Sequence, residues 1–194
     1  MACTGSKAPA AAGADTQAAT VKADDFVSPD LAFLNVHGPV HILKTEAIEY
    51  EFSPEGVLLA VNGRDPFQEP TREIDDDGVF HDILGYERNE QGYISSVSSI
   101  EGCTEFIWAD GRIVSETSAG EGMVGTLVYT FNADGTVQSF TEAWSSEDAE
   151  EPGEEIVTTY SDYQQDGHGN WVSRVYHIGE VTSSESRTIS YYNE

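Results

Sequence analysis

Glycines recur along this chain at a fixed distance behind an aromatic ring. Gly56, Gly92, Gly135 and Gly169 each follow a tyrosine by six positions: Tyr50, Tyr86, Tyr129 and Tyr163. Gly111 follows Phe106 by five, and Gly78 fits weakly between Ile74 and Phe80. Two residues past each of the first five glycines stands an apolar side chain: Leu58, Ile94, Val137, Trp171 and Ile113. Glycine reaches the positive φ angles of tight hairpin turns that side chains with a Cβ resist. On either side of the turns, residues such as Leu127, Tyr129 and Phe131 alternate with Val128 and Thr130, which sends them to opposite faces of a strand. The repeated unit is therefore strand, turn, strand. The irregular spacing of the glycines means that loop lengths vary while the hairpin persists. The expected fold is all-β: an antiparallel meander of repeated hairpins, single-layered or partly curled, from about Val40 onward.

Composition agrees. Val, Ile and Thr together number 42, against seven Leu and two Met, so side chains that favour a pleated sheet dominate over those that favour helices. One short helix is expected near the start. Ser28 is its N-cap, Pro29 its first residue and Asp30 lies in its first turn; Leu31, Phe33 and Leu34 are its apolar face, and Gly38 its stop, about two turns in all.

The formal net charge is -26, which opposes binding to nucleic acid or an anionic membrane surface. No run of 18 apolar residues is present. Residues 1–25 read as a flexible leader, because Val21 is the only apolar side chain larger than Ala after Met1 in residues 1–24. Residues 26–194 form the β domain. The two cysteines allow at most one bridge, ruling out a disulfide framework or a four-cysteine zinc site. Cys103, at the start of a strand-like run, is most simply a small buried hydrophobe without a partner.

Two resemblances add to this reading. Cys3-Thr4-Gly5-Ser6, followed by small residues, resembles the mature end of a bacterial lipoprotein, which implies a diacylglycerol on Cys3 and a lipid-anchored place in the cell envelope, periplasmic or at the outer-membrane surface. Tyr86-Glu87-Arg88-Asn89-Glu90-Gln91-Gly92-Tyr93-Ile94 and Tyr129-Thr130-Phe131-Asn132-Ala133-Asp134-Gly135-Thr136-Val137 resemble the YD repeats of RHS-type proteins. The segments Leu34–Val40, Gly167–Arg174 and Arg187–Tyr192 are similar to the ends of bacterial lipoproteins with RHS-like repeats. The likeness implies an extracytoplasmic β-meander and supplies no catalytic residue.

Motifs that could carry chemistry fail on their context. Gly120-Glu121-Gly122-Met123-Val124-Gly125 has the spacing of a dinucleotide loop but leads into strand formers instead of a helix, so it reads as a hairpin connection. Glu73-Ile74-Asp75-Asp76-Asp77-Gly78 imitates half a calcium loop, yet Leu84 stands where the closing carboxylate belongs. His37 and His41 are separated by Gly38-Pro39, which forbids a shared helix face. No nucleophile elbow occurs, and no cofactor or metal site is expected. The aromatics remain: Tyr86, Trp108, Tyr129, Trp144 and Trp171 are candidate ligand-binding residues, against the simpler reading of cross-strand pairs that hold the sheet together. The leading expectation is a non-enzymatic envelope lipoprotein serving as a structural or interaction module, with a protein or glycan partner. The alternative is a glycan- or calcium-assisted binding module, and a hydrolase ranks third.

Overall fold

A computed structural model describes residues 27–75, 77–149 and 153–192. The leader proposed for residues 1–25, Cys3 included, lies outside the described residues. The chain opens with α1 (Pro29–Phe33), followed by β1 (Val40–Lys44), β2 (Glu49–Phe52), β3 (Leu58–Val61), β4 (Thr71–Ile74), β5 (Phe80–Ile83), β6 (Gly85–Arg88) and β7 (Ile94–Ser98). Then come β8 (Gly102–Ala109), β9 (Arg112–Gly120), β10 (Met123–Phe131), β11 (Val137–Ser146), β12 (Glu155–Gln165), β13 (Trp171–Ile178), β14 (Val181–Ser186) and β15 (Thr188–Tyr191). Strands β6 to β14 form one nine-stranded antiparallel meander in sequence order. A four-stranded sheet, ordered β15-β1-β2-β3, sets the last strand beside the first, and β4-β5 stand as a separate ribbon. The meander does not close into a barrel.

The turns explain the repeat. Ser53, Asp75, Asn89, Asn132 and Asp166 each accept, through the main-chain carbonyl, the N–H of the glycine three residues on, and each donates its own N–H to the carbonyl one residue further, at 2.8 to 3.1 Å. The side chains of Ser53, Asp75, Asn89 and Asp166 also accept two N–H groups inside their own turn. These caps tie the later N–H groups of each turn to its first residue and so favour this one conformation. The glycines of all five turns have φ between +74° and +88°. Gly111 belongs to a different, two-residue turn, with Asp110 at φ +51° and Gly111 at +73° between paired Ala109 and Arg112. That difference in turn length is why its aromatic residue stands five positions back instead of six.

Helix α1 is shorter than the sequence suggests. Ser28 caps it, accepting the Leu31 N–H at 3.1 Å, but the helix ends at Phe33 with Leu34 as C-cap, because Asn35 takes the left-handed conformation at φ +49° three residues before Gly38. Its buried Asp30 accepts the Leu58 N–H at 2.7 Å and a two-pronged contact from the Arg88 guanidinium, joining the helix to both sheets. Leu31, Val36, Val40, Leu43, Tyr50, Phe52, Leu58, Tyr86 and Ile94 form the core between α1, the small sheet and the first strands of the meander.

The meander curls about this core. Phe33 meets Phe106 edge-on at 5.1 Å and Tyr86 at 6.2 Å, so the early strands touch the helix. At the other end, Arg187, between β14 and β15, donates to the carbonyls of Leu34 at 2.9 Å and Asn35 at 3.2 Å, satisfying the end of the same helix. The side of the sheet turned toward α1 is its inner face.

Candidate functional site

Register fixes which side chains share the inner face. Phe106 lies opposite Glu116, Glu116 opposite Leu127, Leu127 opposite Glu142 and Glu142 opposite Ile156; Thr158 lies opposite Ile178, and Ile178 opposite Val181. Direct partners in an antiparallel pair project to one side, as do residues two apart along a strand. One half of this face, toward the 132–136 and 166–170 turns, is filled by aromatic rings and by α1. The other half, toward the 121–122 and 179–180 turns and Glu147, Asp148 and Glu154, is left uncovered by the described residues.

In the filled half, Tyr129, Phe140 and Tyr160 follow one another across three strands, with ring centres 5.9 and 6.1 Å apart. Glu116 accepts a hydrogen bond from Tyr129, and burial raises the pKa values of both. Arg174 pairs with Glu185, donates to Tyr163 at 3.2 Å and lies 3.7 Å from the Tyr160 ring centre and 4.2 Å from that of Trp171. The opposite contact on Trp171 comes from Arg187 at 3.8 Å. Burial, and then the like charge of Arg174, pushes Arg187 down to about 9, so it stays charged at neutral pH.

Beside Arg187 an open depression of about 630 Å3 is lined by Asp166, His168, Ile189 and Tyr191 among others. Its polar groups face one another. Tyr191 donates to Asp166 and stacks with His168 at 3.9 Å. Asn170, 1 % exposed, receives the His37 N–H at 3.0 Å and donates to the His37 carbonyl at 2.8 Å and to Tyr191 at 2.9 Å. This is a seam joining the β12–β13 turn of the meander to the start of the small sheet, and its donors and acceptors answer each other across it.

Four of the five aromatic residues singled out in the sequence are engaged in packing. Tyr86 is 5 % exposed and hydrogen-bonded to Tyr50. Trp108 donates to the Ile94 carbonyl at 2.8 Å and packs on Tyr93 at 4.6 Å. Tyr129 is held by Glu116, and Trp171 lies between two guanidinium groups. Trp144 differs. It faces Gly125 across the sheet, and a methyl group on that glycine would fall 2.6 Å from the indole carbons, so the ring covers the glycine. The indole N–H reaches Glu142 at 3.4 Å, and the residue remains 44 % exposed.

Sequence reasoning missed what surrounds Trp144. Met123 (40 % exposed), Ile156 (43 %), Ile178 (36 %) and Val181 (62 %) lie on the same face of successive strands. With Trp144 they form an apolar strip across β10 to β14, about 19 Å wide at the usual strand spacing. Among them Thr158 is 1 % exposed and its hydroxyl has no hydrogen-bond partner among the described residues. Met123, Trp144 and Ile156 lie within 34 residues of sequence, but only the register shows that the five side chains adjoin.

Other expectations resolve locally. Glu121-Gly122 is a two-residue hairpin turn between β9 and β10, as its context required. Asp75 of the calcium-like run is occupied by the N–H groups of Asp77 and Val79 and by His81. His37 precedes β1 and contacts the His168 carbonyl at 2.8 Å, while His41 lies within β1. Among the described residues no cluster of three or more His, Cys, Asp or Glu is arranged to hold a metal ion. Cys103 departs from expectation: it is half-buried and disulfide-bonded, not a partnerless hydrophobe, and no cysteine is free among the described residues. No described helix is long and apolar enough to cross a membrane. The chain matches no protein-family model and no curated protein in sequence.

Proposed function

We propose that this chain is a non-enzymatic interaction module of the cell envelope, tethered by a diacylglycerol on Cys3 with residues 1–25 as spacer. The observation that carries the interaction role is the apolar strip around Trp144, a solvent-facing surface on a face whose other half is packed. The described arginines are engaged elsewhere. Arg64, Arg72, Arg88 and Arg174 pair with carboxylates, Arg112 lies over Phe131, and Arg187 holds carbonyls. The tether rests on the lipoprotein-like start.

The test is mass spectrometry of protein purified from its native membrane, where Cys3 is expected to carry the diacylglyceryl mass. The sequence holds only two cysteines, so a diacylglycerol on Cys3 and an intramolecular disulfide at Cys103 exclude each other in one molecule. The tethered form is one in which Cys103 is reduced, and the spectra of Cys3 and Cys103 together report which form is present. An unmodified Cys3 in a soluble fraction would remove the tether. A second reading, glycan binding by Trp144, is favoured by the indole lying over Gly125 with much of its surface exposed. Silence on a glycan array with and without calcium would remove that reading.

A further inference from the structure

The strip around Trp144 has a rim, and the rim is acidic. The three connections at this end of the meander carry Glu121, Glu147, Asp148, Glu154 and Glu180, all exposed. No Lys or Arg occurs between Arg112 and Arg174, or again between Arg174 and Arg187, so no basic residue of strands β10 to β12 or of these connections offsets them. Glu142 adds a carboxylate inside the strip. A binding surface made of an apolar centre with a ring of like charge selects its occupant by both features. A second copy would bring the same ring of carboxylates against this one, and an anionic lipid surface would be repelled as well.

We propose that the inner face of β10 to β14 docks a basic amphipathic segment of a partner protein. Its apolar side chains would cover Trp144, Ile156, Ile178 and Val181, and its Lys or Arg residues would reach the carboxylates of Glu121, Glu147, Asp148, Glu154 and Glu180. The strip's width of about 19 Å suits three to four turns of helix laid across the strands, about 13 residues at 1.5 Å each. This inference rests on the reading of the chain as an interaction module and names the partner's chemistry.

Three synthetic peptides of 18 residues test it against the intact protein by fluorescence anisotropy: an amphipathic Leu/Lys helix, its Leu/Glu counterpart and a Ser/Lys peptide of equal charge. The Leu/Lys peptide is expected to bind at least tenfold more tightly than the Ser/Lys peptide, to weaken with added salt, and to leave the Leu/Glu peptide unbound. Ile178→Ser with Val181→Ser, both at exposed positions, should weaken Leu/Lys binding about tenfold. Val128→Ser with Val157→Ser, equally exposed on the opposite face, should leave it unchanged. Circular dichroism confirms that each variant is folded. Equal binding of the Leu/Lys and Ser/Lys peptides, or indifference to the Ile178/Val181 change, overturns the proposal, as does binding of cellohexaose that the Leu/Lys peptide fails to displace. Those outcomes leave the tether standing if Cys3 is diacylated, whereas an unmodified Cys3 ends the tether whatever the peptides do.

Discussion

Asp30 is the residue whose removal this architecture should feel most. It is 3 % exposed and lies in the first turn of α1, where the helix dipole favours a carboxylate. Its two oxygens bind the Leu58 N–H of the small sheet and the Arg88 guanidinium of the meander. Asp30→Ala leaves that N–H buried without a partner, at about 1–3 kcal/mol, and leaves Arg88 facing an apolar gap. Breaking a buried pair from one side costs about 3–5 kcal/mol in total. Arg88 is 28 % exposed and keeps its contacts with the Gly92 carbonyl and the Phe67 ring, which places the expected loss at the lower end, about 3 kcal/mol. For a chain of this size that lowers Tm by about 6–12 °C. Urea denaturation of Asp30→Ala, Arg88→Met and the double variant measures it. The double variant should be more stable than the sum of the single losses predicts, with a coupling of about 1–3 kcal/mol. A loss below about 0.5 kcal/mol for Asp30→Ala, or strict additivity, would refute the view that this pair joins helix and sheets.

Gly135→Ala tests turn geometry alone, because nothing lies within 4 Å of the added methyl group while φ is +88°; thermal melting should show a loss of about 1–2 kcal/mol. Asn170→Ala orphans the N–H and carbonyl of His37 in the seam between the two sheets and should cost about 2–4 kcal/mol in urea denaturation. Glu116 has its pKa raised by burial, so the folded state binds its proton more readily than the unfolded state does. The cost of the buried charge is therefore absent below the unfolded pKa, grows as pH rises through the folded value and is constant above it. Glu116→Gln, which keeps an acceptor for Tyr129, should be more stable than the parent at pH 7 and lose that advantage in acid; equal stability at both pH values in chemical denaturation would contradict it.

Much of the local structure was legible because hairpins are local objects. The spacing of Tyr50 to Gly56, or Tyr129 to Gly135, marks a strand and the turn that ends it, both decided within seven residues by backbone sterics and side-chain caps. The start of α1 was equally plain from Ser28 and Pro29, but its end was not, since Asn35 assumed the left-handed role assigned to Gly38. The aromatic residues show the limit of such reading. Trp108, Trp144 and Trp171 are the same side chain in similar strands, yet one is tied to Ile94, one lies over Gly125 in the open, and one is enclosed by Arg174 and Arg187.

What the chain determined by itself was its secondary structure: short strands joined by glycine turns, one capped helix, and a surface too acidic to welcome anions. Tertiary structure alone decided that β15 returns to pair with β1, that Arg187 holds the C-cap of a helix 153 residues earlier in sequence, and that the described residues cover only half of the inner face. The reason is physical. Alternation says which residues share a side of one strand, but the neighbours of a side chain across a sheet depend on register and curl, and these follow from where α1 and the small sheet settle against the meander.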